Sequence, residues 1–172
     1  ILNDDDASRE KDKTACIIKD RYTHWLQSYA APTKNTQDTK KAFQRFLPPK
    51  TIPKHVYTDN SKEFKKALDE LGFAHDTATP HRPQTNGVAE RAVRVVKEGT
   101  SCALVPSGFS DEWWAMAMAC FCFLKGCVNL LVGKETACYK RFGKDFDGPV
   151  IPFVAEINYQ PISDKDKARL HK

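Results

Sequence analysis

The order in which strand-like and helix-like segments follow one another constrains the fold of this chain more than any other feature. Residues 14–20 form a short apolar run typical of a strand, and residues 24–30 form another with partial alternation. Together with Ile1 and Leu2, which resemble the end of a strand, they predict two or three antiparallel strands. A strand at residues 54–58 runs into a helix, and the later segments are mainly helical. This order predicts an α/β fold in which helices pack on a mixed sheet.

Helices are predicted from apolar spacing and from residues that begin or end helices. The first, at residues 36–47, has Thr36 or Asp38 as a candidate cap and ends at a Pro-Pro pair. The second begins after Ser61, a candidate N-cap, and ends at Gly72. The remaining predicted elements are a short strand at residues 73–78, a helix from about residue 88, and an apolar, buried helix at residues 110–130 that contains Trp113, Trp114, Phe121 and Phe123.

The composition changes beyond the last predicted helix. We therefore divide the chain into a core at residues 1–131 and a C-terminal extension at residues 132–172. Residues 150–159 resemble one or two strands, so the extension is expected to be small and to contain β-structure.

Composition excludes some classes of protein. Of the 172 residues, 41% are hydrophobic and 28% charged, as in a folded globular protein rather than a disordered one. The net charge of +5 favours an anionic partner, although this signal is weak alone. No apolar run reaches the roughly 18 residues of a membrane span. We expect a nuclear or cytoplasmic protein, no membrane partner, and buried free cysteines rather than a zinc site.

Two segments carry residues suited to chemistry. In the first, Asp59 follows an apolar strand directly and precedes a helix, the edge at which α/β sheets bind ligands. In the second, Glu90 lies early in a helix, with Arg94 four residues later and Lys97 seven residues later, so that these side chains share one face. That face could offer a carboxylate to a metal ion and two cations to phosphates. A capping Asp and ordinary surface ion pairs are the structural alternatives.

The same segments resemble the catalytic core of retroviral and LTR-retrotransposon integrases. The resemblance rests on T-D-N-S-K-E-F at residues 58–64 and on T-P-H-R-P-Q-T-N-G-V-A-E-R-A at residues 79–92. It implies a ribonuclease-H-like fold and a DDE polynucleotidyl transferase that processes 3′ ends and joins DNA strands. In that family, an Asp, an Asp and a Glu hold two Mg²⁺ or Mn²⁺ ions.

The resemblance assigns roles residue by residue. Asp59 matches the second carboxylate and Glu90 the third, and both would ligate metal. The DNA-contacting residues would be Asn60, Arg82, Gln84, Asn86, Arg94 and Lys97. The interval between Asp59 and Glu90 is shorter than usual in the family, and Ser61 stands where the family often has Gly.

The first carboxylate is the least defined member of the predicted site. Asp6 fits the family's shorter hairpins best, yet it lies in a polar turn among other aspartates. The alternative, which we prefer, is an Asp ahead of Ile1, in which case the N-terminal part of the core is truncated. Asp20 matches a frequent family acid that is not a metal ligand.

Several functions remain open from the sequence. The chain is expected to act on DNA as an integrase core, either as a homodimer or as a higher oligomer. One alternative is a folded but inactive nucleic-acid-binding remnant of a mobile element. Another is a ribonuclease-H-like nuclease unrelated to integration, which would have no particular use for Gln84, Asn86, Arg94 and Lys97.

Overall fold

Two short strand pairs form the β-structure of the molecule. A computed structural model describes residues 7–78 and 86–157. Strands β1 (Thr14–Lys19) and β2 (Leu26–Ala31) pair antiparallel, as predicted. Strands β3 (Val56–Thr58) and β4 (His75–Thr77) pair parallel. The predicted single mixed sheet is not found among the described residues, because β1 pairs only with β2 and β3 only with β4, so that no ladder of hydrogen bonds joins the pairs.

Helices make up most of the regular secondary structure in the described residues. They are α1 (Thr36–Phe46), α2 (Lys62–Leu71), α3 (Gly87–Ser107), α4 (Trp114–Val128) and α5 (Ala137–Phe142). Each helix predicted from the sequence is present. The apolar helix is expected from residue 110, but Asp111–Trp113 form a 3-10 turn and α4 itself begins at Trp114. None of the helices in residues 7–78 and 86–157 is long and apolar enough to cross a membrane.

The starts of α1 and α2 differ from the sequence-based expectation. Asn35, rather than Thr36 or Asp38, caps α1, and its side chain accepts a hydrogen bond from the Asp38 backbone N–H at 2.8 Å. Asn35 takes the cap because its backbone is extended, whereas the residues after it are helical. Ser61 occupies the N-cap position of α2 as predicted, but its side chain makes no capping hydrogen bond.

The core lies where β2, α3 and α4 meet. Leu26, Ala92, Val96 and Cys122 form one buried cluster, and Phe121 packs against it. Trp114 is buried in a neighbouring cluster, so the apolar helix contributes to the core as expected. Other large side chains on α4 remain accessible: Met116 is 43% exposed and Phe123 is 38% exposed.

The C-terminal region joins this core through α5. Ala137 and Cys138 are buried in a cluster with Trp25, Phe46 and Cys127. The strands predicted at residues 150–159 are not found as far as residue 157, where the described chain ends. Pro149 and Pro152 lack the N–H groups that a ladder requires, and Val154 has a φ of 62°, which is incompatible with an extended strand. The division of the chain after residue 131 stays a prediction.

Candidate functional site

Asp59 is positioned by the turn between β3 and α2. It follows Thr58, the buried last residue of β3, and is itself half-buried. Its Oδ1 accepts a hydrogen bond from the Ser61 backbone N–H at 3.1 Å, which fixes the carboxylate against the start of α2. Within residues 7–78 and 86–157, Oδ2 has no hydrogen-bond partner. One carboxylate oxygen is therefore held in place while the other can accept a ligand.

The carboxylate of Asp59 acts on strand β1 as well. Burial raises the pKa of the Cys16 thiol to about 12, and the negative charge of Asp59 contributes to the same shift. Asp59 therefore lies close enough to the middle of β1 for its charge to be felt there. Helix α3, which carries Glu90, also packs against β1. Strand β1 is therefore near Asp59 and also in contact with the helix that carries Glu90.

Glu90, Arg94 and Lys97 lie together on the exposed face of α3, as their spacing predicts. The opposite face buries Ala92 and Val96 against α4 and the strands. Among the described residues, none of the three charged side chains forms an ion pair, even though Glu90 and Arg94 have the spacing of a helical pair. The face therefore presents a carboxylate and two cations that are not neutralised by neighbours in the described chain.

The other predicted site residues lie in the β3–α2 turn, directly before α3, or outside the described residues. Asn60 is exposed in the β3–α2 turn. Asn86 is the residue before α3; its carbonyl accepts a hydrogen bond from the Glu90 N–H at 3.0 Å, while its side-chain Oδ1 is buried without a partner in the described chain. Asp6, Arg82 and Gln84 lie outside the described residues.

Carboxylates are suitable ligands for a hard cation such as Mg²⁺ or Mn²⁺. Asp59 has an oxygen to spare and Glu90 is exposed, so both fit that chemistry. In residues 7–78 and 86–157, however, no three His, Cys, Asp or Glu side chains come together as a metal site. A complete set of three carboxylates would need a residue outside these ranges, such as Asp6.

Comparisons with known proteins agree with the sequence motifs. The Pol polyprotein of transposon RE2 from Arabidopsis thaliana is 25% identical over 171 residues, which cover 88% of this chain and 11% of the polyprotein. That of transposon TNT 1-94 from Nicotiana tabacum is 32% identical over 76 residues, covering 41% of the chain and 6% of the polyprotein. The chain thus spans about a tenth, or less, of the length of these relatives. No protein-family model matches it.

Solved structures decide the fold. One similar structure is an intasome of simian T-cell lymphotropic virus, solved with a regulatory subunit of PP2A. The superposition covers 86% of this chain and 53% of the chain in that structure, with a TM-score of 0.59 and 18% sequence identity. The catalytic core of BIV integrase matches 73% of this chain and 82% of its own with a TM-score of 0.53 at 17% identity. The chain has the fold of a retroviral integrase catalytic core. The predicted resemblance to integrase cores is confirmed, and so is the α/β class, whereas the single mixed sheet and the strands of the C-terminal extension are not found among the described residues.

Asp20 has a structural role in this integrase-core fold. Its carboxylate accepts hydrogen bonds from the Tyr22 N–H at 2.9 Å and the Thr23 hydroxyl at 2.7 Å, which closes the turn between β1 and β2. Arg141 of α5 lies 3.9 Å from the same carboxylate and stacks on the ring of Phe46. The contact between Asp20 and Arg141 joins distant parts of the sequence, so local pattern gave no signal for it.

Proposed function

We propose that the chain is the catalytic core of an integrase that processes DNA 3′ ends and joins them to a second DNA. The observation that carries this proposal is the exposed face of α3, where Glu90 lies beside Arg94 and Lys97 without an ion pair in the described chain. Paired surface charges would favour a purely structural face. Unpaired ones are available to a cation and to phosphates.

In the proposed mechanism, Asp59 and Glu90 would hold the metal ions. Bound Mg²⁺ or Mn²⁺ would lower the pKa of the attacking water or 3′-hydroxyl and neutralise charge on the phosphodiester. The hydrogen bond from the Ser61 N–H keeps Asp59 oriented while its other oxygen binds. Arg94 and Lys97 bind backbone phosphates next to Glu90. Asn60, Arg82, Gln84 and Asn86 are proposed as further DNA contacts.

The first test uses a DNA-joining assay with Mg²⁺ or Mn²⁺ and a labelled DNA end. Asp59→Asn and Glu90→Gln each keep the shape of the side chain but remove a ligand charge. We expect either substitution to lower the rate at least about a hundredfold while DNA binding in the absence of metal persists. Metal-dependent joining that survives both substitutions would contradict the proposed site.

The second test concerns DNA binding by α3. Arg94→Gln should weaken binding to all DNA sequences similarly and should reduce the salt slope of the binding constant by about 1, since one phosphate contact is lost. Lys66→Gln is the matched control, because Lys66 is an exposed cation on α2. If both substitutions changed the slope equally, the α3 face would have no special part in binding.

The first carboxylate is proposed at Asp6 or ahead of Ile1. Joining by residues 1–172 that is abolished by Asp6→Asn would assign it to Asp6. Joining that appears only after extension of the chain on its N-terminal side would assign it upstream. DNA binding without joining in either form would instead establish the inactive remnant.

Self-association is part of the proposal. Met116 and Phe123 are exposed on the apolar helix α4, which also buries Trp114 and Ala117, and could form a subunit contact. One solved core with this fold, that of HTLV-2 integrase, was obtained in a trimeric form. Light scattering after size exclusion tests the point, and a monomer at tens of micromolar would argue against it.

A further inference from the structure

A cavity of about 260 Å³ lies where the end of β1 meets α3 and α4. Lys19 at the end of β1, Arg91 on α3 and Lys125 on α4 all line it. His24 and Asn129 add groups that can donate hydrogen bonds, and Leu26 contributes part of the apolar wall. Arg91 follows Glu90 directly but is turned about 100° around the helix from it.

Among the described residues that line it, the cavity has three positively charged side chains and no carboxylate. Burial lowers the pKa of Lys19, and the nearby cations Lys125, Arg91 and Arg21 lower it further. Within residues 7–78 and 86–157, none of these side chains forms an ion pair. Cations elsewhere in the molecule do, for example Lys40 with Glu70 at 2.8 Å. Since like charges held together repel one another, the cavity is suited to an anion that would relieve the repulsion.

We propose that this cavity is a second anion site, which binds a phosphate group without any metal ion. A guanidinium presents a planar fork of donors that matches phosphate oxygens, and ammonium groups add point charges from other directions. A phosphate carries more charge and more acceptor oxygens than a single carboxylate, so it matches this convergent set better. The inference goes beyond the proposed function, because it uses neither Asp59 nor Glu90.

The phosphate could belong to a polynucleotide backbone or to a small free phosphate. Arg91 and Arg94 are three residues apart and so lie about 60° apart around α3, close enough for a polynucleotide bound at the Glu90 face to reach the cavity as well. A free phosphate would need only the cavity. The chemistry of recognition is shared, and competition between the two kinds of ligand separates the sources.

The experiment is a calorimetric titration of the whole chain with pyrophosphate in EDTA. We expect Arg91→Gln and Lys125→Gln each to weaken pyrophosphate binding about tenfold, the usual effect of losing a charge-assisted hydrogen bond. Lys54→Gln, an exposed cation outside the cavity, is the matched control and should change nothing. Equal affinity in all variants, or no pyrophosphate binding at all, would overturn the proposal.

The second experiment is a competition between pyrophosphate and a labelled DNA oligonucleotide for binding to the protein. Displacement of the DNA by pyrophosphate in the wild type, but not in Arg91→Gln, would assign the cavity to the polynucleotide backbone. Pyrophosphate binding without displacement would assign it to a free phosphate. An acidic peptide that binds more tightly than either through Arg91 and Lys125 would overturn the choice of phosphate. Because EDTA removes metal ions, none of these results depends on an active metal site.

Thermal denaturation controls for folding. Lys125→Gln should raise the melting temperature of the ligand-free protein at low salt, since one repelling charge is lost, so a folding defect is not expected. Pyrophosphate should then raise the melting temperature of the wild type more than that of the variant. Equal shifts in both proteins would place the anion elsewhere.

Discussion

At the scale of single residues, Gly126 allows α4 to approach Trp25, the residue before β2, closely. A Cβ atom at this position would lie 2.6 Å from Cζ3 and 2.8 Å from Cε3 of Trp25. The indole ring cannot move away readily, because it is buried with Phe46 and makes an edge-on contact with Phe142 at 5.2 Å. The absence of a side chain at Gly126 therefore determines how closely α4 packs on the Trp25 ring.

We predict that Gly126→Ala lowers the free energy of unfolding by about 1–3 kcal/mol, the usual cost of overpacking a core. The control is Gly133→Ala, since a Cβ there would meet only a Glu135 carboxylate oxygen at 4.0 Å. Urea denaturation of both variants and the wild type measures the difference. A Gly126→Ala protein as stable as Gly133→Ala would show that Trp25 can be displaced without cost.

At the scale of elements, α1 and α2 begin in different ways. The side chain of Asn35 caps α1 and also donates a hydrogen bond to the Asp38 carboxylate at 2.7 Å. At α2, the Ser61 hydroxyl is buried without a partner in the described chain. The backbone N–H of Ser61 is instead satisfied by Asp59, the proposed metal ligand. The start of α2 thus orients a carboxylate, whereas the start of α1 only stabilises a helix.

We predict that Asn35→Ala destabilises the protein by about 1 kcal/mol, the usual loss for an N-cap side chain. Ser61→Ala should leave stability unchanged or raise it, because it removes a buried hydroxyl that has no partner and keeps the N–H that binds Asp59. Chemical denaturation of the two variants side by side is the measurement. A larger loss from Ser61→Ala than from Asn35→Ala would mean that the hydroxyl does cap α2.

Elements specified by local pattern could be predicted from the sequence, and those specified by distant contacts could not. Helix α2 was predicted because Ser61 and Gly72 mark its ends, and Gly72 takes the left-handed conformation expected there, with a φ of 67°. The separation of the strand pairs was missed, since pairing is decided by contacts between segments far apart in sequence. Thr36, Asp38 and Asn35 are all plausible caps, and only the backbone geometry chooses among them.

The candidate site likewise contains residues that could be predicted from local motifs and contacts that could not, because they depend on packing. Asp59, Glu90, Arg94 and Lys97 were predicted because each lies in a short motif whose spacing defines a turn or a helix face. The proximity of Cys16 to Asp59 was missed, as was the cavity lined by Lys19 and Lys125, because these depend on how β1, α3 and α4 pack. Their residue types alone, a thiol and two lysines, indicate no particular partner.

At the scale of the whole molecule, the raised pKa values of three thiols lead us to expect that stability depends on alkaline pH. Burial raises the pKa of Cys122 to about 11, and burial together with Cys138 does the same for Cys127. With Cys16, whose pKa is about 12, these thiols lie on β1 and α4, in or next to the interior. A thiol that stays protonated in the folded protein but ionises in the unfolded chain favours unfolding as the pH rises.

We predict that the free energy of unfolding keeps its full value below about pH 9, the ordinary pKa of the thiol, and falls between pH 9 and pH 12. Over that interval the folded state binds more protons than the unfolded state, so Cys16 alone adds a slope of up to about 1.4 kcal/mol per pH unit. Cys16→Ala should flatten the slope, whereas Cys102→Ala, at an exposed thiol, should only shift the curve.

Asp59→Asn should lower the pKa of Cys16, because it removes a negative charge that opposes ionisation. Unfolding curves measured across this pH range test all three variants, and parallel curves for Cys16→Ala and the wild type would show that the Cys16 thiol is not buried as described.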